Sequence, residues 1–321
     1  MKYLDDNEVK ELLSGHFSSV IDCVESAFVD STADMVPKIY LNSGNNQQGD
    51  YRAMPAALGG YAALKWIGVF PNNPKGENPM NRKLPTTIGT LILNDRFTGF
   101  PLMAMDCTVL TAYRTAATSA IAAKYCAPDR VEEIALIGCG DQAYHHALAY
   151  KEIFQDFKIS LHDRNMEAAV NLSLKLKKHG LSESKFSYNV KDAVSNADII
   201  TTLTPSTKPY LNILDLKSNC HVNAVGADAV GKRELMCNVI DGAADIIADD
   251  PEQAFHSGEL QYNEWPYLNV LNFSNFLRDH KSMQLNKGVS VFDSTGVSIE
   301  DIAVGILVHN LYHDNEVERF H

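Results

Sequence analysis

At 321 residues the chain exceeds what one core ordinarily supports, about 250–300 residues, so two domains are expected. Its 45% hydrophobic and 21% charged residues are the balance of a globular protein that needs no disulfide or metal staple. A formal net charge of −12 with no Lys/Arg-rich run argues against nucleic-acid binding, and no apolar run reaches the ~18–20 residues of a membrane span.

In chain order, Asp5 or Asp6 caps a helix expected to run through VKELL and on to VIDCVESAFVD. KIYLNSG and GDYRAMPAAL read as strands around the polar turn NSGNNQQGD, and ALKWIGVF as a third strand. A polar, proline-rich loop, PNNPKGENPMNRKLP, follows. TTIGTLILND and GFPLMAMD form a hairpin turned at NDRFTG. This first part is strand-rich without regular alternation of strand and helix. TAYRTAATSAIAAKYCA, rich in alanine, is a helix approached through Asp106 or Thr108.

The organisation then changes. EEIALIG, KISLHDR, FSYNV and DIITTLT read as strands separated by the helices DQAYHHALAYKEIF, MEAAVNLSLKLKKHG and KDAVSNA. HVNAVGAD, NVIDGAADIIADD and VSVFDST complete a series of short apolar strands, and SIEDIAVGILVHNLYH is a last helix. Alternation of this kind implies an α/β fold with a doubly wound parallel sheet.

Cys23, Cys107, Cys126, Cys139, Cys220 and Cys237 form no C-x-x-C pair and read as reduced thiols. The histidines, including the adjacent His145 and His146, read as structural or exposed rather than as metal ligands, and no metal is expected. Trp66 and the aromatics of PYLNVLNF read as core or interface. The amino-terminal MKYLDDNEVKELL is charged too early and too often for a signal peptide, so a cytoplasmic location is expected.

ALIGCGDQAYHHALAY carries the most specific local signal. Gly138, Gly140 and Ala143 fit G-x-G-x-x-G/A between a strand and a helix, within a strand–helix–strand unit. Glycines there let backbone N–H groups approach a pyrophosphate at the positive end of a helix; the plainer reading is a tight turn. Asp163 ends the next strand, where a carboxylate accepts from both ribose hydroxyls and repels a 2′-phosphate. NAD is therefore the expected cofactor. Arg164, able to pair with that phosphate, keeps NADP as the alternative.

DYRAMPA (50–56), LKWIG (64–68), LTAYRTAATSA (110–120), LIGCGDQA (136–143), NAVGADAVGKREL (223–235) and VFDSTGVSIED (291–301), in this order, resemble the ornithine cyclodeaminase/mu-crystallin family, which includes archaeal-type alanine dehydrogenases. The resemblance covers nearly the whole chain. It implies a Rossmann-type domain over 121–301 and a strand-rich α+β substrate and dimerisation domain over 1–120 with 302–321, with a homodimer as the usual assembly.

The resemblance also implies roles for single residues. Lys38, Arg52, Lys65 and Arg114 would contact the substrate, and cations in strand-like apolar surroundings suit a carboxylate clamp. Each could instead point to solvent. Asp228, after HVNAVGA at the carboxyl edge of a strand, would handle the substrate amine, with Lys65 as its acid–base partner. A cap on the following turn is the plain alternative. Thr86 (or its neighbour Thr87), Arg114, Thr115, Gly138, Gly140, Asp141, Gln142, Asp163, Arg164, Thr202, Thr204, Lys232 and Ser294 would line the cofactor.

The chemistry implied is oxidation of the Cα–N bond of a small L-amino acid to an imine. Attack on the imine by a side-chain amine gives cyclodeamination, as of ornithine to proline and ammonia. Attack by water gives an alanine-type dehydrogenase, and the reverse direction a cyclic imine reductase. PKIYL and GDYRAMPA look closer to the alanine dehydrogenase branch, and DIITTLT, HVNAVGAD and VFDS closer to the cyclodeaminases. Cyclodeamination is preferred here. A mu-crystallin-like ligand-binding protein is the alternative of another class; retention of both Lys65 and Asp228 weighs against it.

Overall fold

The computed structural model of the chain describes residues 1–42, 49–262, 269–279 and 287–319. It divides into two compact units, 1–114 with 297–321 and 115–296. These boundaries lie a few residues before the expected 120 and 302. One falls inside a helix and the other in the turn that precedes the last helix.

The first unit holds β1 (Lys2–Leu4), α1 (Asp6–Leu13), α2 (Phe17–Val29), β2 (Asp34–Met35), β3 (Ile39–Asn42), β4 (Asp50–Leu58), β5 (Tyr61–Val69), β6 (Thr87–Asp95) and β7 (Pro101–Asp106). It also contains the start of α3 (Thr108–Cys126) and the carboxyl-terminal helix Ser298–Arg319. The sheet order is β1-β7-β6-β5-β4-β2, with β3 also paired to β4. Period-two alternation sorts its residues. Arg52, Met54 and Ala56 share one face with Ala63, Lys65 and Ile67, with Leu91 and Leu93, and with Met103 and Met105, and all are buried. Burying each of the Leu, Ile and Met side chains among them contributes roughly 1.5–3 kcal/mol. The carboxyl-terminal helix covers this face, and at Gly305 an added Cβ would lie 3.0 Å from Leu91. The other face keeps Ile39, Leu41, Leu64, Trp66, Ile88 and Ile92 exposed.

The second unit alternates as expected: β8 (Glu133–Ile137), α4 (Asp141–Ile153), β9 (Lys158–His162), α5 (Met166–Lys177), β10 (Ser184–Phe186), α6 (Val190–Val194), β11 (Ile199–Thr202) and β12 (Cys220–Ala224). Then come α7 (Cys237–Asp241), β13 (Asp245–Ala248), α8 (Pro251–Ser257), β14 (Val270–Asn272), α9 (Phe273–Asp279) and β15 (Val289–Asp293); the carboxyl-terminal helix is α10. The strands are parallel, in the order β10-β9-β8-β11-β12-β15-β13-β14. The chain winds outward from β8 through β9 to β10, then returns to β11 on the other side of β8. The order therefore reverses between β8 and β11, the point at which open sheets of this kind take ligands.

Several expectations need correction. The first helix is two, because Gly15 at φ +80° breaks the chain between α1 and α2; Asp5 forms a capping box with Glu8. NVID, expected in a strand, is the helix α7, since a short apolar run does not distinguish the two periods. The strand expected in FSYNV is only its first residue's neighbourhood, Ser184–Phe186, and Asn189 caps α6 instead. β1 and β14, each of three residues, were too short to carry a pattern. Most of the turn NSGNNQQGD (43–48) and the start of PYLNVLNF (266–268) lie outside the described residues.

Candidate active site

Among the described residues, unit 1 buries three cations. Arg52 on β4 is 4% exposed, Lys65 on β5 is 1% exposed and Arg114 on α3 is 6% exposed. Arg52 stands opposite Ile67, two residues from Lys65, so the two cations are diagonal neighbours on one face. Each has an acidic partner. Arg52 Nε donates to Asp50 Oδ1 at 2.7 Å, and its guanidinium lies 5.5 Å from the centre of the Tyr40 ring. Lys65 Nζ donates to Asp301 Oδ1 at 2.7 Å. Arg114 donates through Nε to the same oxygen at 3.0 Å and through Nη1 to Glu300 Oε2 at 2.5 Å.

Glu300 and Asp301 belong to the first turn of α10, whose dipole favours carboxylates there. Burial pushes the Lys65 ammonium below its ordinary value; Asp301 opposes this, and Arg114 adds to it. The Cys107 thiol, also buried in this neighbourhood, is pushed up to about 12 by burial. Desolvating this many charges costs several kcal/mol per ion, so the cluster is poor evidence for stability and better evidence for a site.

Lys38 lies just before β3 and is half-buried; Thr86 is exposed at the entry to β6, its carbonyl accepting from Phe70 N. The long loop before it is tied at its ends, with Leu84 N donating to Asn73 O and Asn73 Nδ2 to Pro85 O.

In unit 2 the register aligns Ile137, Thr202, Ala224 and Asp293, the last residues of β8, β11, β12 and β15. The candidate cofactor residues follow from this edge. Gly138 has φ +96°, and an added Cβ would lie 3.0 Å from Leu203 O, so the position requires glycine. Gly140 caps α4 with no side-chain bond to the first turn, and an added Cβ there would meet nothing within 4 Å. Ala143 is fully buried at the third small position. Open space over uncapped N–H groups suits a pyrophosphate. Asp141 is exposed in that first turn, and Gln142 Oε1 is buried without a partner among the described residues.

Asp163 follows β9. Its Oδ2 accepts from Cys139 N and its Oδ1 from Asn165 N, both at 2.8 Å; Arg164 beside it is exposed. Thr115 on α3 and Thr202 at the end of β11 are buried. Ser294 N donates to Ala224 O at 2.9 Å, and its buried Oγ has no partner among the described residues. Thr204 is differently engaged: its N and Oγ1 both donate to Glu234 Oε1, at 2.7 and 2.6 Å. Glu234 also accepts from Tyr210 Oη and Gly226 N, which makes it the hub of the turns following β11 and β12.

Asp228 lies in the loop after β12, half-buried, and Lys232 Nζ donates to its Oδ1 at 2.5 Å. Within its own unit Asp228 accepts from Lys232, a residue expected at the cofactor, and within unit 1 Lys65 donates to Asp301. Glu300 and Asp301 are not among the expected site residues. A signal was present: IEDIAVGIL puts an aspartate on the apolar stripe of a helix, where a charge needs a partner. His309 and His313, four residues apart on α10, have ring centres 4.6 Å apart, yet among the described residues no group of three His, Cys, Asp or Glu could hold a metal.

A doubly wound parallel sheet with this glycine turn, joined in one chain to a mixed sheet that buries cations, defines a two-unit α/β protein of the Rossmann-type class. Residues 3–316 match the model of the ornithine cyclodeaminase/mu-crystallin family. The chain belongs to that family. It is 35% identical to an alanine dehydrogenase of Archaeoglobus fulgidus over 95% of this chain and 93% of that protein. It is 32% identical to an ornithine cyclodeaminase of Agrobacterium fabrum over 84% of this chain and 74% of that protein. The solved structure of an archaeal alanine dehydrogenase dimer with bound NAD superposes with a TM-score of 0.89 at 34% identity, over 98% of this chain and 97% of that one.

Proposed function

We propose that this chain is an NAD-dependent enzyme that interconverts a small L-amino acid and its imine or oxo acid, in the manner of an alanine-type dehydrogenase. The observation that carries the reading is the set of buried cations Arg52, Lys65 and Arg114 in one unit. An amino-acid carboxylate recruits such donors, and charge-assisted bonds to it are worth most where water is excluded.

The 35% identity to a protein named alanine dehydrogenase, over 95% of this chain, favours the dehydrogenase over cyclodeamination.

Bound NAD supplies the hydride acceptor. The residues of the chain do the rest. Gly138, Gly140 and the first turn of α4 hold the pyrophosphate, and Asp163 the adenosine ribose, with Thr115, Thr202 and Ser294 as further contacts. Arg52, Lys65 and Arg114 clamp the carboxylate and so orient the α-hydrogen. Asp228 takes a proton from the amine or from the attacking water, with Lys65 as the second acid–base group. One L-amino acid, NAD⁺ and water give the oxo acid, ammonium, NADH and a proton. The exposed apolar face of the unit 1 sheet supports a homodimer through that unit.

Incubation with NAD⁺ and a panel of L-amino acids tests the reading, with NADH absorbance and ammonia followed together. Equimolar NADH and ammonia are expected. Ammonia without NADH from ornithine would establish cyclodeamination instead. Neither product in either direction would leave a binding protein.

A further inference from the structure

Asp301 is the one group that touches both Lys65 and Arg114 among the described contacts, and it does so through a single oxygen. Its other oxygen, Oδ2, is buried and has no hydrogen-bond partner among the described residues. Two aspartates with a role in the fold satisfy both oxygens: Asp249 accepts from Thr295 Oγ1 and Asp250 N on one and from Gly296 N on the other, and Asp198 accepts from Lys217 Nζ on one and from Glu132 N and Glu133 N on the other. Asp293, like Asp301, leaves one buried oxygen open. A buried acceptor left open is uncommon where hydrogen bonding alone explains a residue.

The charges around Lys65 can be named element by element. α10 brings Glu300 and Asp301, α3 brings Arg114, Cys107 lies just ahead of α3, and Arg52 is the diagonal neighbour on β4. Opposite Lys65 on β6 is Leu91, which carries no charge. Two guanidinium groups thus accompany the lysine, and Asp301 is the carboxylate bonded to it.

We propose that Asp301 is a positioning residue for the substrate-binding cations: its Oδ1 holds Lys65 and Arg114 as a coupled pair and keeps Lys65 charged beside a second cation. This deepens the amino-acid reading and rests on it for the identity of the bound anion. Without the carboxylate, burial and Arg114 both act against the ammonium, and Lys65 releases its proton at lower pH. Arg114 keeps Glu300 as a partner, so the two cations respond differently.

The experiment compares Asp301→Asn, Asp301→Glu and Glu300→Gln in the full chain. The titration of Lys65 is read directly from side-chain nitrogen NMR of 15N-lysine-labelled protein, assigned with Lys65→Arg, and pH profiles of kcat and kcat/KM are recorded beside it. Asp301→Asn is expected to move the Lys65 titration down by about one pH unit, a tenfold change in proton affinity. The limb of the rate profile that follows Lys65 moves with it. Asp301→Glu, which keeps the charge, is expected to leave the titration near that of the parent chain. Glu300→Gln is expected to raise KM through Arg114 with the Lys65 titration unmoved.

The proposal is overturned if Asp301→Asn lowers thermal stability while the Lys65 titration stays in place. It is also overturned if Asp301→Glu or Glu300→Gln moves that titration by about one pH unit from the parent value; these two carry the test if Asp301→Asn fails to fold. A parent chain that turns over no amino acid, with the titration shifting as stated, would refute the functional reading and leave the positioning role standing.

Discussion

Cys139, between the two glycines of the turn, donates its backbone N–H to the Asp163 carboxylate at 2.8 Å, so the phosphate turn and the end of β9 form one hydrogen-bonded piece. The carboxylate proposed to discriminate between cofactors is thereby held by the loop proposed to cradle the pyrophosphate. Asp163→Ser is expected to lower NAD affinity about tenfold and to raise relative use of NADP, with Arg164 free of its acidic neighbour. Loss of the two backbone bonds costs about 1 kcal/mol each. Paired titrations of NADH and NADPH by fluorescence check this; an unchanged ratio would refute a ribose role for Asp163.

The two glycines separate stability from binding. Gly138→Ala forces an L-residue to φ +96° with its Cβ 3.0 Å from Leu203 O, and is expected to cost roughly 1–3 kcal/mol of stability. Gly140→Ala meets no neighbour and adopts φ −82° without strain. Its stability is expected to stay within about 0.5 kcal/mol of the parent, while dinucleotide affinity falls tenfold or more. Thermal denaturation beside calorimetric titration with NAD⁺ distinguishes the two outcomes.

His146 is sealed in the core, Nδ1 on Gln142 O and Nε2 on Ser119 Oγ, and burial lowers its pKa from 6.5 to about 4. His221, bonded to Ser290 and Asn223, is lowered to about 4 as well. With the folded value below the unfolded one, the contribution of each is complete above about pH 6.5 and is lost as pH falls through 4. A shift of this size corresponds to roughly 3 kcal/mol per histidine. The stability difference between the parent and His146→Gln should narrow by about that amount between pH 7 and pH 4 in urea titrations. A constant difference would contradict a neutral buried imidazole.

Glu259 runs the other way. Burial raises its carboxyl from 4.5 to about 8, so its contribution is complete below pH 4.5 and is lost as pH rises through 8. It accepts from Glu234 N and Leu235 N, which ties the hub carboxylate Glu234 into the same network. The destabilisation is expected to begin as pH rises past about 4.5, to level off above about 8, and to be smaller in Glu259→Gln than in the parent. Melting temperatures from pH 4 to pH 9 measure it.

Leu64 and Ile92 face each other on the exposed side of the unit 1 sheet. Leu64→Glu with Ile92→Glu places like charges in register on the face proposed for dimerisation, leaving the buried side untouched. Sedimentation velocity is expected to show the parent as a dimer and the double variant as a monomer. A parent chain that sediments as a monomer at micromolar concentration would remove the dimer from the reading.

How far each feature could be read ahead of the structure follows from its sequence range. The glycine turn, Asp163 and the βα alternation depend on residues close in the chain, and their periodicity and φ requirements show in the letters themselves. The break between α1 and α2 rests on a single glycine at φ +80°, which helical spacing does not reveal, and NVID is too short an apolar run to fix its period.

Composition, local spacing and the match along the chain determined a doubly wound sheet, a strand-rich partner unit and candidate cations at 52, 65 and 114. Only the tertiary structure decided which carboxylates those cations meet. Lys65 and Asp301 are separated by 236 positions and Arg114 and Glu300 by 186, and no local pattern encodes a pairing over such distances. It takes the packing of α10 on the sheet to bring an acidic first helical turn against a lysine that the sheet alone would leave buried and unneutralised.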